Sequence, residues 1–226
     1  MNYRPYLLLI CISAFCPAAP AADGLADVLN RMDQSAETFQ GMTANMTQTD
    51  YTAVLNDKTV QTGTVKVKKV RAKAIGLIDF AEPNPRTVAL KEGEVQVYYP
   101  GIKEDQIFDV REYGQQLDQF LLLGFGTSGK DLQNIFDVKL GGSETVQGTR
   151  TVRLDLFPKS KQARDLMDKV ELWIPEGASY PVQEKIYTKS GNYKLIAYSN
   201  VKLNPGLTEK DVELSLPPGV TRRKMQ

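Results

Sequence analysis

The sequence predicts a mainly β protein of the α+β class, built from one antiparallel sheet with a few short helices. Apolar and polar residues alternate with a period of two, as at residues 64–68 and 94–99, which places the apolar set on one face of each strand. Turn-forming residues interrupt this alternation at short intervals, as at 83–85 and 100–101. Together these signals predict about ten or eleven strands in an antiparallel meander.

The helical patterns are short and separate groups of strands. Residues 23–40 predict an amphipathic helix, because apolar residues recur there at helical spacing. Residues 114–124 predict a short helix with more apolar side chains than one face needs. Two briefer helical segments are expected at residues 131–135 and 159–167.

The other patterns predict strands. A meander occupies the chain from residue 42 to residue 110, and its apolar face must be covered or must hold a ligand. Further strands are expected at residues 136–140, 144–147, 151–157, 170–174, 180–188, 192–203 and 211–216. The last residues, 221–226, are expected to form a frayed tail.

The start of the chain predicts a secretory signal peptide. Arg4 precedes an apolar run at residues 7–15, and residues 19–21 offer a cleavage site of the A-x-A type. The run is far shorter than the ~20 residues that a membrane span needs. We therefore expect residues 1–21 to be removed and residues 22–226 to form one soluble domain.

The composition argues against several kinds of chemistry. The chain has no histidine, which removes the commonest general base and the usual zinc ligand. Both cysteines, Cys11 and Cys16, lie in the predicted signal peptide, so no disulfide or thiol catalysis is expected after cleavage. Of the 28 basic residues only Arg4 lies there, which leaves 27 to balance 27 acidic residues. A neutral surface argues against nucleic acid as a partner, and we expect no enzyme activity, cofactor or metal.

Two motifs match catalytic signatures without their structural context. Residues 124–130 match a phosphate-binding glycine pattern, but Asp131 stands where a serine or threonine would bind Mg²⁺. We therefore interpret this segment as a flexible glycine loop. Ser199 and Lys202 are three positions apart on a predicted strand, so their side chains are expected on opposite faces.

Taken in order, the segments of the chain resemble a known family. After the signal peptide and the amphipathic helix come GTVKVKKVR (63–71), DFAEP (79–83), KEGEVQVYYP (91–100), the Leu-rich helix, LDLFPK (154–159), SGNY (190–193) and VELSLPPGV (212–220). This ordered set is similar to the periplasmic outer-membrane lipoprotein carrier (LolA-like) family over nearly the whole chain that follows the signal peptide.

The resemblance implies an open, unclosed antiparallel β-barrel whose mouth is plugged by helices. It also implies a periplasmic monomer with an apolar cavity for the acyl chains of lipoproteins or related lipids. Such a carrier receives its cargo from an inner-membrane ABC transporter and delivers it to an outer-membrane lipoprotein acceptor. The acceptor of this system is itself lipidated, whereas neither Cys11 nor Cys16 follows a small residue, so the sequence favours a carrier.

The resemblance also implies a latch for the helical lid. In the family an arginine on the second strand holds the lid, and by register this position is Lys69, with Arg71 two residues later. Because a period of two keeps both side chains on one face, we expect Arg71 to be the latch, with Lys69 as the alternative. A solvated strand face is the simpler interpretation of the same basic cluster.

The inward residues of the strands are the candidates for lining a cavity, and the Leu-rich segment is the candidate for covering it. The predicted cavity residues are Val65, Val67, Val95, Val97, Tyr99, Leu154, Leu156, Leu172 and Ile174. The predicted lid residues are Leu117, Phe120, Leu121, Leu122, Leu123 and Phe125. Taken singly, any of the cavity residues is explained more simply by core packing.

A cargo with acyl chains needs a container to cross an aqueous gap. Each CH₂ group exposed to water costs ~0.8 kcal/mol, so one long acyl chain costs on the order of 10 kcal/mol. Two alternatives remain open. The same fold could serve as a periplasmic protein-interaction or envelope-stress sensing module with a filled interior. A carboxylate-based hydrolase would instead need two carboxylates facing each other in one cleft.

Overall fold

The computed structural model describes residues 24–71, 73–81, 83–91, 93–111 and 123–225. Within these ranges the helices are α1 (Leu25–Thr38), α2 (Gly129–Ile135) and α3 (Lys161–Leu166). The strands are β1 (Gly41–Thr52), β2 (Asp57–Val70), β3 (Lys73–Phe80), β4 (Arg86–Lys91), β5 (Glu94–Tyr99), β6 (Glu104–Asp109), β7 (Phe136–Val146), β8 (Thr149–Pro158), β9 (Lys169–Pro175), β10 (Gln183–Tyr187), β11 (Tyr193–Leu203) and β12 (Thr221–Met225). The predicted signal peptide and residues 114–122 of the predicted Leu-rich helix lie outside the described residues.

All twelve strands belong to one sheet, in the order β12-β6-β5-β4-β3-β2-β1-β11-β10-β9-β8-β7. Neighbouring strands are antiparallel except for β12, which runs parallel to β6. The edge strands β7 and β12 do not pair with each other, so the sheet is an open barrel. The predicted fold class is confirmed, with two helices, α1 and α2, packed on the inner face of the sheet.

Helices α1 and α2 fill one half of the inner face. The apolar stripe of α1 buries Val28, Leu29 and Met32, and α2 contributes Leu132. The N-terminus of α2 is capped by Ser128, whose hydroxyl oxygen accepts a hydrogen bond from the Asp131 amide at 3.0 Å. The first cluster consists of Val28, Leu29, Met32, Leu123, Leu132, Phe136, Val152, Leu154, Leu156, Met167, Val170, Leu172 and Ile174.

A second cluster lies next to the first, on the inner face of β1, β2, β3 and β11. It consists of Phe39, Met42, Ala44, Met46, Val65, Val67, Ala74, Phe80, Phe125 and Tyr198. Long pairings hold these strands in register, because β1 pairs with β2 from Gly41 to Thr52 and with β11 on its other side. The alternation predicted at residues 64–68, in β2, is therefore confirmed.

A third cluster lies on the outer face, where sequence reasoning placed only polar residues. Leu77 and Ala89 pair across β3 and β4 on that face, and Val212 packs on them from the C-terminal segment. The prediction of a strand at residues 211–216 is wrong. A 3₁₀ turn forms at Glu209–Val212 instead, because Asp211 bonds back to Thr208 and Val212 turns towards the sheet.

The prediction of a frayed tail at residues 221–226 is also wrong for residues 221–225. This segment is β12, which adds to the open edge of β6. Its basic side chains meet the carboxylates of β6: Arg222 Nε lies 2.9 Å from Asp105 Oδ2, and Arg223 Nε lies 3.1 Å from Glu104 Oε2. All five side chains of this strand are exposed, so its sequence has no alternation of apolar and polar residues that could have predicted it.

The glycine segment at residues 124–130 serves close packing. A Cβ atom at Gly126 would lie 2.6 Å from the ring of Phe39, and one at Gly129 would lie 2.6 Å from the carbonyl oxygen of Leu29. Gly124, Thr127 and Gly129 are buried, and Gly129 begins α2, so the segment is a loop only up to Ser128 and packs in the interior. The glycines allow α2 to approach α1 within backbone contact.

This packing predicts the effect of replacing Gly129 with alanine. The free energy of unfolding should fall by about 1–3 kcal/mol, because the added methyl group meets backbone atoms of Leu29 that cannot rotate away. Gly101→Ala is the control, since a Cβ atom there meets nothing within 4 Å. Urea denaturation measures both variants, and equal stabilities would contradict the proposed role of Gly129.

Candidate functional site

An apolar patch lies on the inner face next to the second cluster, and two of its residues, Ile78 and Val88, pack against that cluster. Residues that lie opposite each other on neighbouring strands point to the same face of a sheet. Val65 of the second cluster lies opposite Ile78 of β3, and the pairing continues from Ile78 through β4 and β5 to β6. We define the apolar patch as Ile78, Val88, Val95, Val97 and Phe108, all of them half-buried.

The helices of the described chain pack elsewhere on this face. The side chains that α1 and α2 bury all belong to the first cluster, over β7, β8 and β9. Val95, Val97 and Phe108 belong to none of the three clusters of buried residues. The half-barrel made by β3–β6 therefore presents an apolar inner surface that the described helices do not fill.

The predicted cavity residues share the inner face but fall into different environments. Val65 and Val67 are buried in the second cluster, whereas Val95, Val97 and Tyr99 are half-buried beyond it. The other four are fully buried in the first cluster, which also contains residues of α1 and α2: Leu154, Leu156, Leu172 and Ile174.

Two of the predicted lid residues are described, and both are buried. Leu123 belongs to the first cluster and Phe125 to the second. The Phe125 ring stacks near Tyr180 at 6.0 Å and meets the edge of Tyr198 at 4.9 Å between ring centroids. Leu117, Phe120, Leu121 and Leu122 lie outside the described residues. Phe125 thus anchors the C-terminal end of the predicted lid segment in the barrel.

The two predicted latch residues occupy different local structures. Lys69 lies in β2, pairs with Ala74 and is half-buried. Strand β2 ends at Val70, and Arg71 follows in a left-handed turn with φ of 58°. The period of two therefore does not extend to Arg71, whose exposed position is set by the turn.

A buried polar pair interrupts the inner face beneath Phe125. Tyr198 donates a hydrogen bond to Glu184 Oε1 at 2.6 Å, and both residues are less than a tenth exposed. Burial raises the pKa of the Glu184 carboxyl to about 7, and the hydrogen bond from Tyr198 offsets part of this rise. Sequence reasoning missed Glu184, although its position two residues before Ile186 on the inner face was a possible signal.

The inner face becomes polar towards one end of the sheet. A pocket of about 560 Å³ lies there, between the β3–β4 and β5–β6 turns. Its lining residues include Asp50, Thr59, Gln61, Arg86 and Tyr99. Among these only Tyr99 was a predicted site residue. Arg86 is two residues before Val88, so the period of two could have placed it on the inner face.

The described residues contain neither a cluster of three or more carboxylate, histidine or cysteine ligands nor a helix long and apolar enough to cross a membrane.

Comparison with known proteins identifies the fold. No family model and no curated protein matches the chain. An uncharacterized conserved protein from Thermus thermophilus is similar at 13% identity, over 88% of this chain and 98% of that chain, with a TM-score of 0.53. MucB is similar at 13% identity, over 84% of this chain and 62% of that chain, with a TM-score of 0.51.

A LolA superfamily protein from Nitrosomonas europaea is similar at 14% identity, over 85% of this chain and 99% of that chain, with a TM-score of 0.41. Similarity at identities this low establishes a shared fold and does not establish a shared activity. The resemblance noted from the sequence is confirmed at the level of the fold: the chain is an open β-barrel with helices on its inner face, a fold that it shares with MucB and the Thermus thermophilus protein.

Proposed function

We propose that the protein binds acyl chains on the apolar patch and carries lipids or acylated lipoproteins between membranes. The observation that carries this proposal is the half-buried inner surface of β3–β6, which α1 and α2 do not fill. An acyl chain placed there would bury this surface, as α1 and α2 bury the inner face of β8 and β9.

The energetics favour reversible binding. Each CH₂ group that leaves water contributes ~0.8 kcal/mol, so contact along part of a chain is enough to hold it. The patch offers only apolar contacts, which lack fixed geometry and suit cargo of varied length. A carrier acts by burial and release, so the proposal includes no catalytic step.

The proposal assigns different roles to the predicted cavity residues. Val95, Val97 and Tyr99 are proposed to contact cargo, with Val65 and Val67 forming the floor beside them. Leu154, Leu156, Leu172 and Ile174 are assigned to the core, because α1 and α2 already cover them. The latch stays a proposal with two candidates: Lys69, which is half-buried in β2, and Arg71, which lies exposed in the turn that follows.

The proposed setting is the periplasm, reached through the signal peptide predicted at residues 1–21. There the carrier would receive cargo from an inner-membrane ABC transporter and pass it to an outer-membrane lipoprotein acceptor. These partners follow from the LolA-like resemblance alone, and lipoproteins that co-purify with the protein from native membranes would identify them.

Replacing Val97 with glutamate tests the site. We expect uptake of an uncharged fluorescent acyl ester to fall at least tenfold, because an ionised carboxylate in the patch must lose its hydration when a chain binds. Fluorescence titration measures the uptake, and far-UV circular dichroism checks that the variant is folded.

Val60→Glu is the matched control, since Val60 is 52% exposed and lies on the outer face of β2. It makes the same change of side chain and should leave uptake unchanged. Equal uptake by the wild-type protein and the Val97→Glu variant would contradict the site. No uptake by the wild-type protein would contradict acyl binding itself.

The second candidate function is a protein-interaction module. It is favoured by the filled half of the barrel, where α1 and α2 close the inner face of β8 and β9, and by the fold shared with MucB. In that case residues 112–122 or a partner would fill the apolar patch, and the wild-type protein would take up no acyl probe.

A further inference from the structure

We infer that the cargo is an amphiphile with an anionic head group, which Arg86 binds at the polar end of the apolar patch. This inference rests on the proposed function, because it needs an acyl chain on the patch. It adds a chemical class to the cargo: a carboxylate or phosphate attached to the chain that the patch holds.

Arg86 is positioned by its neighbours and yet has no carboxylate partner among the residues that the structure describes. Its guanidinium carbon lies 3.8 Å from the centre of the Phe80 ring, and Nη1 donates to the carbonyl oxygen of Asn84 at 3.2 Å. No ion pair joins it to a carboxylate of the described residues. A stacked guanidinium keeps several donors in a fixed plane, and these can bind two oxygens of one anion.

Two described carboxylates near this end are already paired with basic side chains. Asp50, which also lines the pocket, is bonded to Lys194 and accepts a hydrogen bond from Gln48 at 2.7 Å. Glu104, paired with Tyr99 across β5 and β6, lies 3.1 Å from Arg223. Of the two charged residues that line the pocket, Asp50 is bonded to Lys194, so Arg86 is the pocket-lining charge that can bind an anion.

The sheet geometry places this charge next to the apolar patch. Arg86 and Val88 are two residues apart on β4 and therefore lie on the same face, with a Cα separation of roughly 7 Å in an extended strand. The pocket continues from Arg86 to Tyr99 and Gln61, whose polar groups can bind a hydrated head group. A chain lying on Val88 and Val97 would thus place its head beside Arg86.

Two versions of one probe, one charged and one uncharged, test the inference. A long-chain fatty acid and its methyl ester share the same tail and differ in the anionic head. We expect the wild-type protein to bind the fatty acid roughly tenfold to a hundredfold more tightly, the range of a hydrogen bond to a charged group. Isothermal titration at a pH of about 8 keeps the carboxylate ionised.

Arg86→Gln should remove this preference and leave the affinity for the ester within about twofold, because the apolar patch is unchanged. Arg86→Lys keeps the charge and should retain part of the preference. Lys58→Gln is the matched control: Lys58 lies near the same end of the sheet but on the outer face, beside Tyr51. It removes one positive charge and should preserve the preference.

The outcomes separate this inference from the proposed function. If the wild-type protein binds both probes equally, the inference of an anionic head group is contradicted, whereas acyl binding is supported. If it binds neither probe, the proposed function fails. Acetate and inorganic phosphate should not displace the fatty acid at millimolar concentration. Displacement would show a site for free anions and would overturn the assignment to an amphiphile.

Discussion

Replacing Leu154 with alanine is expected to lower the free energy of unfolding by about 2–5 kcal/mol. Leu154 is fully buried at 0% exposure, paired with Leu172 across β8 and β9 beneath the helices of the first cluster. The substitution removes buried methyl groups and leaves a cavity that the sheet and helices cannot close. Urea denaturation followed by circular dichroism measures the loss.

Val97→Ala provides the comparison, because Val97 belongs to the apolar patch. Its side chain is half-buried and outside the three clusters, so the loss should be below about 1 kcal/mol. The difference between the two losses of stability distinguishes a packed core from an apolar surface that the protein's own side chains do not cover. A loss at Val97 as large as that at Leu154 would mean that the protein's own side chains already pack on the patch.

The second large effect concerns the pH dependence of stability. Burial holds the folded-state pKa of Glu184 at about 7, against an ordinary value of 4.5. The folded protein therefore binds a proton more strongly than the unfolded chain between these values. The stability contribution of the neutral carboxyl is fully present below a pH of about 4.5 and is lost as the pH rises through 7, by an amount on the order of 3 kcal/mol.

Glu184→Gln should remove this decline, because the amide cannot ionise and still accepts the hydrogen bond from Tyr198. Denaturation at several pH values between about 4.5 and 8 measures the slope. The exposed Glu213→Gln variant is the control and should keep the slope of the wild-type protein.

Carboxyl groups whose pKa is lowered in the folded protein affect stability in a lower pH range than Glu184 does. The hydrogen bond from Arg111 lowers the pKa of Asp109 to about 2, and the pKa of the Glu171 carboxyl is lowered by Lys169 and Tyr187 against the opposing effect of burial. Such groups lose their contribution as the pH falls, below about 4.5. An unchanged slope in Glu184→Gln would show that Glu184 ionises freely in the folded protein.

Local signals in the sequence were sufficient for much of the fold. The amphipathic spacing in residues 23–40 predicted α1, and the alternation on both sides of Ser190-Gly191 predicted the hairpin of β10 and β11. These elements are recognisable because helical and extended periods depend on neighbouring residues. Strand β12 carries no such period, and it forms because the edge of β6 offers backbone partners and two carboxylates.

The site was only partly predictable. Val97 and Leu172 alternate with their neighbours in the same way, yet one is half-buried and the other lies at 0% exposure under the first cluster. Arg86 and Glu184 were overlooked because each is a single charged residue in an ordinary strand pattern. Their surroundings come from β1, β5, β11 and the segment at Phe125, which are distant in the chain.

By itself, therefore, the sequence determined most of the strands and, within them, which side chains share a face. It also indicated a LolA-like order of segments and a chain without histidine. Only the tertiary structure decided which part of the apolar face α1 and α2 cover, and where Arg86 and Glu184 lie on it. The physical reason is that a period of two specifies the face of the sheet to which a side chain points, whereas its burial depends on which distant segment packs against that face.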